Sequence, residues 1–199
     1  NTRIGVRYET TKVVSDSLIT VPESIEWQAN NDFRIVLSDE QQRFIERQHG
    51  VMMEKPLGAV DNWFEPGHQF EWFFLLESSP ILRGTPLHAS LTRAFAYAEQ
   101  KGVDNLSGAV SGMLAVDGSV RDGTQRIWAQ AEYLRALTLR PDSEAVLQRQ
   151  LLALQQNFLH EKGWHECLDA EGKVSRRDMP STTPYHLATC YQGLVQHLG

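Results

Sequence analysis

The chain has 199 residues, 41% of them hydrophobic and 22% charged, with a formal net charge of −6. That length suits one domain with a sizeable core, and the interspersed acidic and basic residues form no basic stripe to neutralise a phosphate backbone, so no nucleic-acid partner is expected. No apolar run approaches the roughly 18 to 20 residues that span a bilayer, and the opening NTRIGVRYETTK has no signal-peptide core, so the expectation is a soluble, cytoplasmic protein without a membrane partner.

Residues 1–50 read as a poorly assigned segment of the same domain. FRIVLSDEQQRFIERQ is compatible with one helix, and VVSDSLITVPES with a loop or a short β element. From residue 51 to 199 the chain alternates apolar-periodic segments with short loops, the pattern of an all-α domain built from helical hairpins. GHQFEW, residues 67–72, leads into the apolar run FFLL. Leu87, Leu91, Ala94, Phe95 and Ala98 recur at helical spacing behind the start signal Thr85-Pro86. MLAVDGSVRD predicts a hairpin turning at Asp117-Gly118. A helix from about Arg126 to Leu139 follows and stops before Pro141. The next starts at Asp142 or Ser143 and carries Val146, Leu147, Leu151, Leu154 and Phe158. ECLDAEGKVSRRD predicts a second hairpin near Gly172, and a last helix begins near Pro184. Cys167 and Cys190 are too few for a disulfide framework or a zinc knuckle and read as reduced structural thiols.

The two hairpins head an internal repeat. GMLAVDGSVRDGTQRIWAQAE and WHECLDAEGKVSRRDMPSTTPYHLA each run from hairpin to helix, and VMMEKPLGAVDNWFEPGHQFEW is a weaker third copy. In this register His68, a position near Trp128, and His186 open successive helices, 60 and 58 residues apart. A period of that size predicts stacked helical hairpins in which every second helix faces inward and starts on one rim.

That rim carries the candidate chemistry. His68 and Glu71, three residues apart, share a helix face, and a carboxylate beside an imidazole fixes its tautomer and raises its basicity. By itself the hexapeptide fits a half-buried histidine satisfied at a helix start better than a catalytic pair. His186 shifts that balance, because the register puts it at the equivalent position. His88, in the similar TPLH, lies outside the register and is expected in the outer layer as a structural residue. In RIWAQAE, Arg126, Gln130 and Glu132 are candidates to bind sugar hydroxyls and Trp128 to offer a ring face, with Trp72 beside them; an amphipathic helix with Trp128 in the core fits equally well. Arg176 and Arg177 are a weaker anion candidate, and His165 and Glu166 read as local contacts. His68, Glu71 and His186 supply possible metal donors, but without HExxH or CxxC spacing no metal and no cofactor is expected.

GHQFEW followed by LL, then RIWAQAE, then SRRDMPSTTPYHL, together resemble the N-acylglucosamine 2-epimerase family, which includes mannose isomerases, sulfoquinovose isomerases and cellobiose 2-epimerases. The resemblance covers roughly residues 50–199. It implies an (α/α)6 barrel, or the C-terminal part of one, with short β-hairpins between helix pairs. It also implies that His68 and His186 match the two proton-transferring histidines and Glu71 the acidic partner of the first. The aromatic pair Phe70 and Trp72 resembles the mannose isomerase branch.

The chain departs from the family in length. An Arg and an Asn-x-x-Met-His motif of the family's first half are not recognisable, and a period near 59 leaves a little over three helical pairs. The expected explanations are a part of a longer protein or a half barrel that associates, a homodimer being one way to close it. The expected activity is movement of the C2 proton of an unphosphorylated aldose, giving an epimer or a ketose. The alternatives are a glycoside hydrolase using Glu71 and Glu132, and a non-catalytic sugar-binding scaffold.

Overall fold

The computed structural model describes residues 63–198, together with three short N-terminal strands, β1 (Ile4–Val6), β2 (Ser24–Trp27) and β3 (Phe33–Val36). These three form one antiparallel sheet in the order β1-β2-β3. Phe33–Val36, the residues opening the helix expected from FRIVLSDEQQRFIERQ, are therefore a strand, in keeping with their aromatic and β-branched side chains. The remainder of that expected helix, and the first half of the weak third repeat, lie outside the described residues.

From residue 63 the chain builds two layers of helices. β4 (Trp63–Phe64) leads into α1 (Pro66–Glu77), and α2 (Pro86–Gly102) returns behind it. The hairpin β5 (Met113–Ala115) and β6 (Val120–Asp122) and the short strand β7 (Gln125–Arg126) lead into α3 (Ile127–Leu137), which α4 (Glu144–Asn157) backs. A small hairpin, β8 (Leu159–His160) with β9 (Gly163–Trp164), precedes β10 (Cys167–Leu168), β11 (Val174–Arg176) and α5 (Thr183–Leu198). α1, α3 and α5 pack successively against one another as an inner row, with α2 on the back of α1 and α4 on the back of α3.

Local chemistry sets the boundaries. Pro66 and Pro86 each occupy a first helical position, where a missing N–H costs nothing, and the Thr85 hydroxyl accepts from the His88 N–H at 3.2 Å to cap α2. Gly118 and Gly172 turn the two predicted hairpins at φ of +84° and +82°, a conformation that a side chain would strain. The repeat is also built into the strands. β4 pairs with β5, and β7 pairs with β10, so the strands entering α1 and α3 are tied to the hairpins β5–β6 and β10–β11 that precede the next inner helix.

The core lies between the layers. Every residue of α3 is buried, as expected of a helix with neighbours on all sides. Phe70 and Phe73 of α1, Phe95 of α2 and Tyr133 of α3 form one aromatic cluster, with ring centroids 4.6 Å apart for Phe70–Tyr133 and Phe73–Phe95. The Tyr133 hydroxyl donates to Glu99 at 2.8 Å, and Arg140 clamps both oxygens of the same carboxylate. Burial and the Glu99 charge push the Tyr133 phenol well above its ordinary value, so it stays a donor. Among the described residues no helix is long and apolar enough to cross a membrane.

Candidate active site

The three inner helices begin on one rim. His68 is the third residue of α1, Trp128 the second of α3 and His186 the fourth of α5, and their rings contact in series: His68–Trp128 centroids are 4.9 Å apart and Trp128–His186 5.3 Å. Trp128 is thus wedged between the two histidines. Gly67 makes room for it: a Cβ there would sit 2.6 Å from the Trp128 ring and 2.9 Å from the Ala129 Cβ. A cavity of about 250 Å³ opens at this rim, lined by Glu65, His68, Arg126, Trp128, Thr182, Thr183 and His186. Arg126 lies over the Trp128 ring, 5.4 Å from its centroid, and so holds a cation at the cavity wall.

Below His186 the site becomes densely charged. His186 Nδ1 is 2.6 Å from Glu132 Oε1, and Glu132 is fully buried. Arg135, one turn along α3 and also buried, brings Nη2 to 2.5 Å from Glu132 Oε2. The two groups meet as an ionic contact without an aligned hydrogen bond. The Arg135 guanidinium also stacks over Phe74 at 4.3 Å. Glu71 completes the cluster, with a donor atom each from Glu71, Glu132 and His186 lying within 4.8 Å of one another. Burial pushes the Glu71 carboxyl above its ordinary value and Glu132 adds to the rise, against the opposing pull of His186, His68 and Arg135. These three donors are close enough for one metal ion. Both Glu132 oxygens, however, are already engaged, and the adjacent guanidinium would repel a cation, so the ion pairs themselves account for the cluster.

Several expected site residues are placed differently. Glu65 is within ion-pair range of His68 Nδ1, at 3.9 Å, while Glu71 lies close to His186 and Glu132; Glu132 is the carboxylate at hydrogen-bond distance from His186. Gln130 is buried on the outer side of α3, its amide 2.8 Å from that of Gln150 in α4, so it braces the two layers and does not line the cavity. Trp72 is half-buried and packs on the core, and Phe70 lies wholly within it. His88 bonds Glu77 at 2.6 Å on the outer helix, as its position outside the register implied. Arg176 is exposed and held by Asp178. Glu65, Thr182, Thr183 and Arg135 were not singled out from sequence. Thr182 and Thr183 belong to the quoted STTPYH, and Arg135 sits three residues after Glu132, the spacing that brings helical side chains together.

Glu166 fixes the rim from beneath. Its backbone carbonyl accepts the Ile127 N–H that opens α3, while its buried carboxylate accepts from the Thr183 hydroxyl at 2.8 Å and the Trp164 indole at 3.2 Å. One residue therefore ties together the starts of two inner helices.

Residues 29–190 match the N-acylglucosamine 2-epimerase (GlcNAc 2-epimerase) family. The chain belongs to that family. It is 31% identical over 164 residues to a protein described as mannose-6-phosphate isomerase from Rhizobium meliloti (strain 1021), covering 73% of this chain and 42% of that protein. Among solved structures, a D-mannose isomerase is similar at 28% identity with a TM-score of 0.56, covering 67% of this chain and 38% of the other. Two more are similar in fold: a sugar epimerase from a ruminal bacterium (TM-score 0.58, 19% identity, 68% and 39% covered) and a cellobiose 2-epimerase from Bacillus thermoamylovorans (TM-score 0.58, 13% identity, 68% and 40% covered). The inner and outer helices with short hairpins between them are thus part of an (α/α)6 barrel of the N-acylglucosamine 2-epimerase family. The chain spans about two fifths of the length of the curated relative it matches.

Proposed function

We propose that this chain carries the two-histidine part of a sugar isomerase or epimerase site, acting on the C2 proton of an unphosphorylated aldose. The observation that carries this reading is the joint placement of His68 and His186 on one cavity, with the Trp128 ring between them and Glu132 on the Nδ1 of His186. The relatives described as mannose isomerase and sugar epimerase support the class.

The carbon next to a sugar carbonyl is a weak acid, so the site must supply a placed base and must stabilise the developing enediolate. With Nδ1 donating to Glu132, His186 presents Nε2 as the proton acceptor. Arg126, the cation on the cavity wall, is placed to offset negative charge on the substrate oxygens, and Trp128 spaces the two histidines along that wall. His68 is the second proton-transfer group. A proton returned to C1 gives a ketose, and a proton delivered to C2 from the opposite face gives the epimer.

Hydrolysis by Glu71 and Glu132 fits less well. Their carboxylates converge within 4.8 Å of each other and of His186, below the roughly 5 to 9.5 Å that flank a glycosidic bond, and Glu132 has no exposed surface to meet one. The test is His186→Asn in the full-length protein. Proton exchange should fall by about 10²- to 10⁴-fold, the usual contribution of a general acid or base, whereas hydrolysis by two carboxylates would largely survive. Undiminished exchange in this variant would exclude the proposed role.

A further inference from the structure

Two carboxylates, Glu71 and Glu132, converge on the His186 imidazole, and one guanidinium, Arg135, is in ion-pair contact with Glu132 and exerts only a weaker pull on Glu71. Like charges so close in a buried site do not both persist, and the proton goes to the carboxylate without a guanidinium in direct contact. We propose that Arg135 is a positioning residue that settles this choice: it compensates Glu132, so the proton of the pair resides on Glu71 and Glu132 is left to accept from His186 Nδ1.

The charges then balance. Glu132 and Arg135 cancel, Glu71 is a neutral acid and His186 a neutral imidazole whose Nε2 is available to the cavity. When Nε2 takes the substrate's proton, the imidazolium that forms already has Glu132 at 2.6 Å as its counter-charge. The titratable and charged groups acting on Glu71 are Glu132 and Arg135 from α3, His186 and Tyr185 from α5, and His68 from its own helix. Of these, Arg135 is a permanent cation, buried at 2% exposure and held by Phe74. Its place is therefore fixed whatever the cavity contains.

The proton placement is independent of turnover, although its catalytic consequence rests on the function proposed above. Infrared difference spectra of the full-length protein at neutral pH should contain the carbonyl stretch of a protonated carboxylic acid, and Glu71→Gln should remove it. Absence of that band in the unsubstituted protein, or its survival in Glu71→Gln, overturns the placement even in a protein with no sugar activity. For the role of Arg135, Arg135→Met should lower kcat by about 10²-fold with little change in KM and displace the acid limb of the pH–rate profile, and Arg135→Lys should recover much of the loss. Equal losses in Met and Lys variants with an unmoved pH profile would show a merely structural residue. The infrared measurement stands on its own if Arg135→Met does not fold.

Discussion

At the scale of single residues, what distinguishes the site is where charge is buried. Glu132, Arg135 and Glu71 surround one imidazole beneath a cavity whose walls add Glu65 and Arg126 to aromatic and hydroxyl groups. Cys190 shares this environment. Burial, with Glu132 adding to it, pushes its thiol up to about 12 from an ordinary 9.0. A group whose folded value is raised contributes stability that is complete below its unfolded value and is lost as pH rises towards the folded one. Denaturant unfolding should therefore show stability falling as pH rises from about 9 towards 12, and Cys190→Ser should flatten that slope. Iodoacetamide should leave Cys190 unmodified at neutral pH until the protein is unfolded. The histidines were legible in the sequence because a register selects them. Their partners were not: Glu71 stands three residues from His68, but its carboxyl turns across the helix interface to His186, and Glu132 reaches an imidazole 54 residues away. Helical spacing identifies neighbours on one helix and says nothing of which neighbouring helix a side chain meets.

At the scale of elements, the repeat explains the site. A strand leads into α1 and another into α3, each is tied to the following hairpin, and the inner helices begin level with one another, so residues about 59 apart in sequence meet on one rim. At Gly67, α1 meets the Trp128 ring of α3 with no room for a side chain between them. Gly67→Ala places a methyl at 2.6 Å from that ring, and α1 and α3 must separate or Trp128 must swing into the cavity. We expect a loss of about 1 to 3 kcal/mol in chemical denaturation, with weaker sugar binding by calorimetry. The helices of residues 86–198 were readable from period, proline starts and glycine turns, because those signals are local. The strands β4 and β7 were not, since each is two residues long and exists only through a partner about forty to fifty residues away. The same limit explains Gln130, whose polar side chain suited a sugar but is consumed by Gln150 between the layers.

At the scale of the molecule, the three inner and two outer helices among the described residues form part of a barrel, and the curated relative is more than twice as long as the matched region. α5, the last inner helix described, leaves Tyr191, Val195 and Leu198 exposed at helical spacing, in contrast to α3, which is enclosed on all sides. His68, Trp128 and His186 nevertheless all lie on described helices, and the role of the two histidines is testable on the full-length protein. The most direct measurement is NMR of mannose, glucose and N-acetylmannosamine incubated with that protein in deuterated water. Solvent deuterium is expected at C1 of a ketose product or at C2 of an epimer, with incorporation lost in His68→Asn and His186→Asn. Full incorporation in both variants, or conversion of a sugar with no deuterium at either carbon, would contradict it.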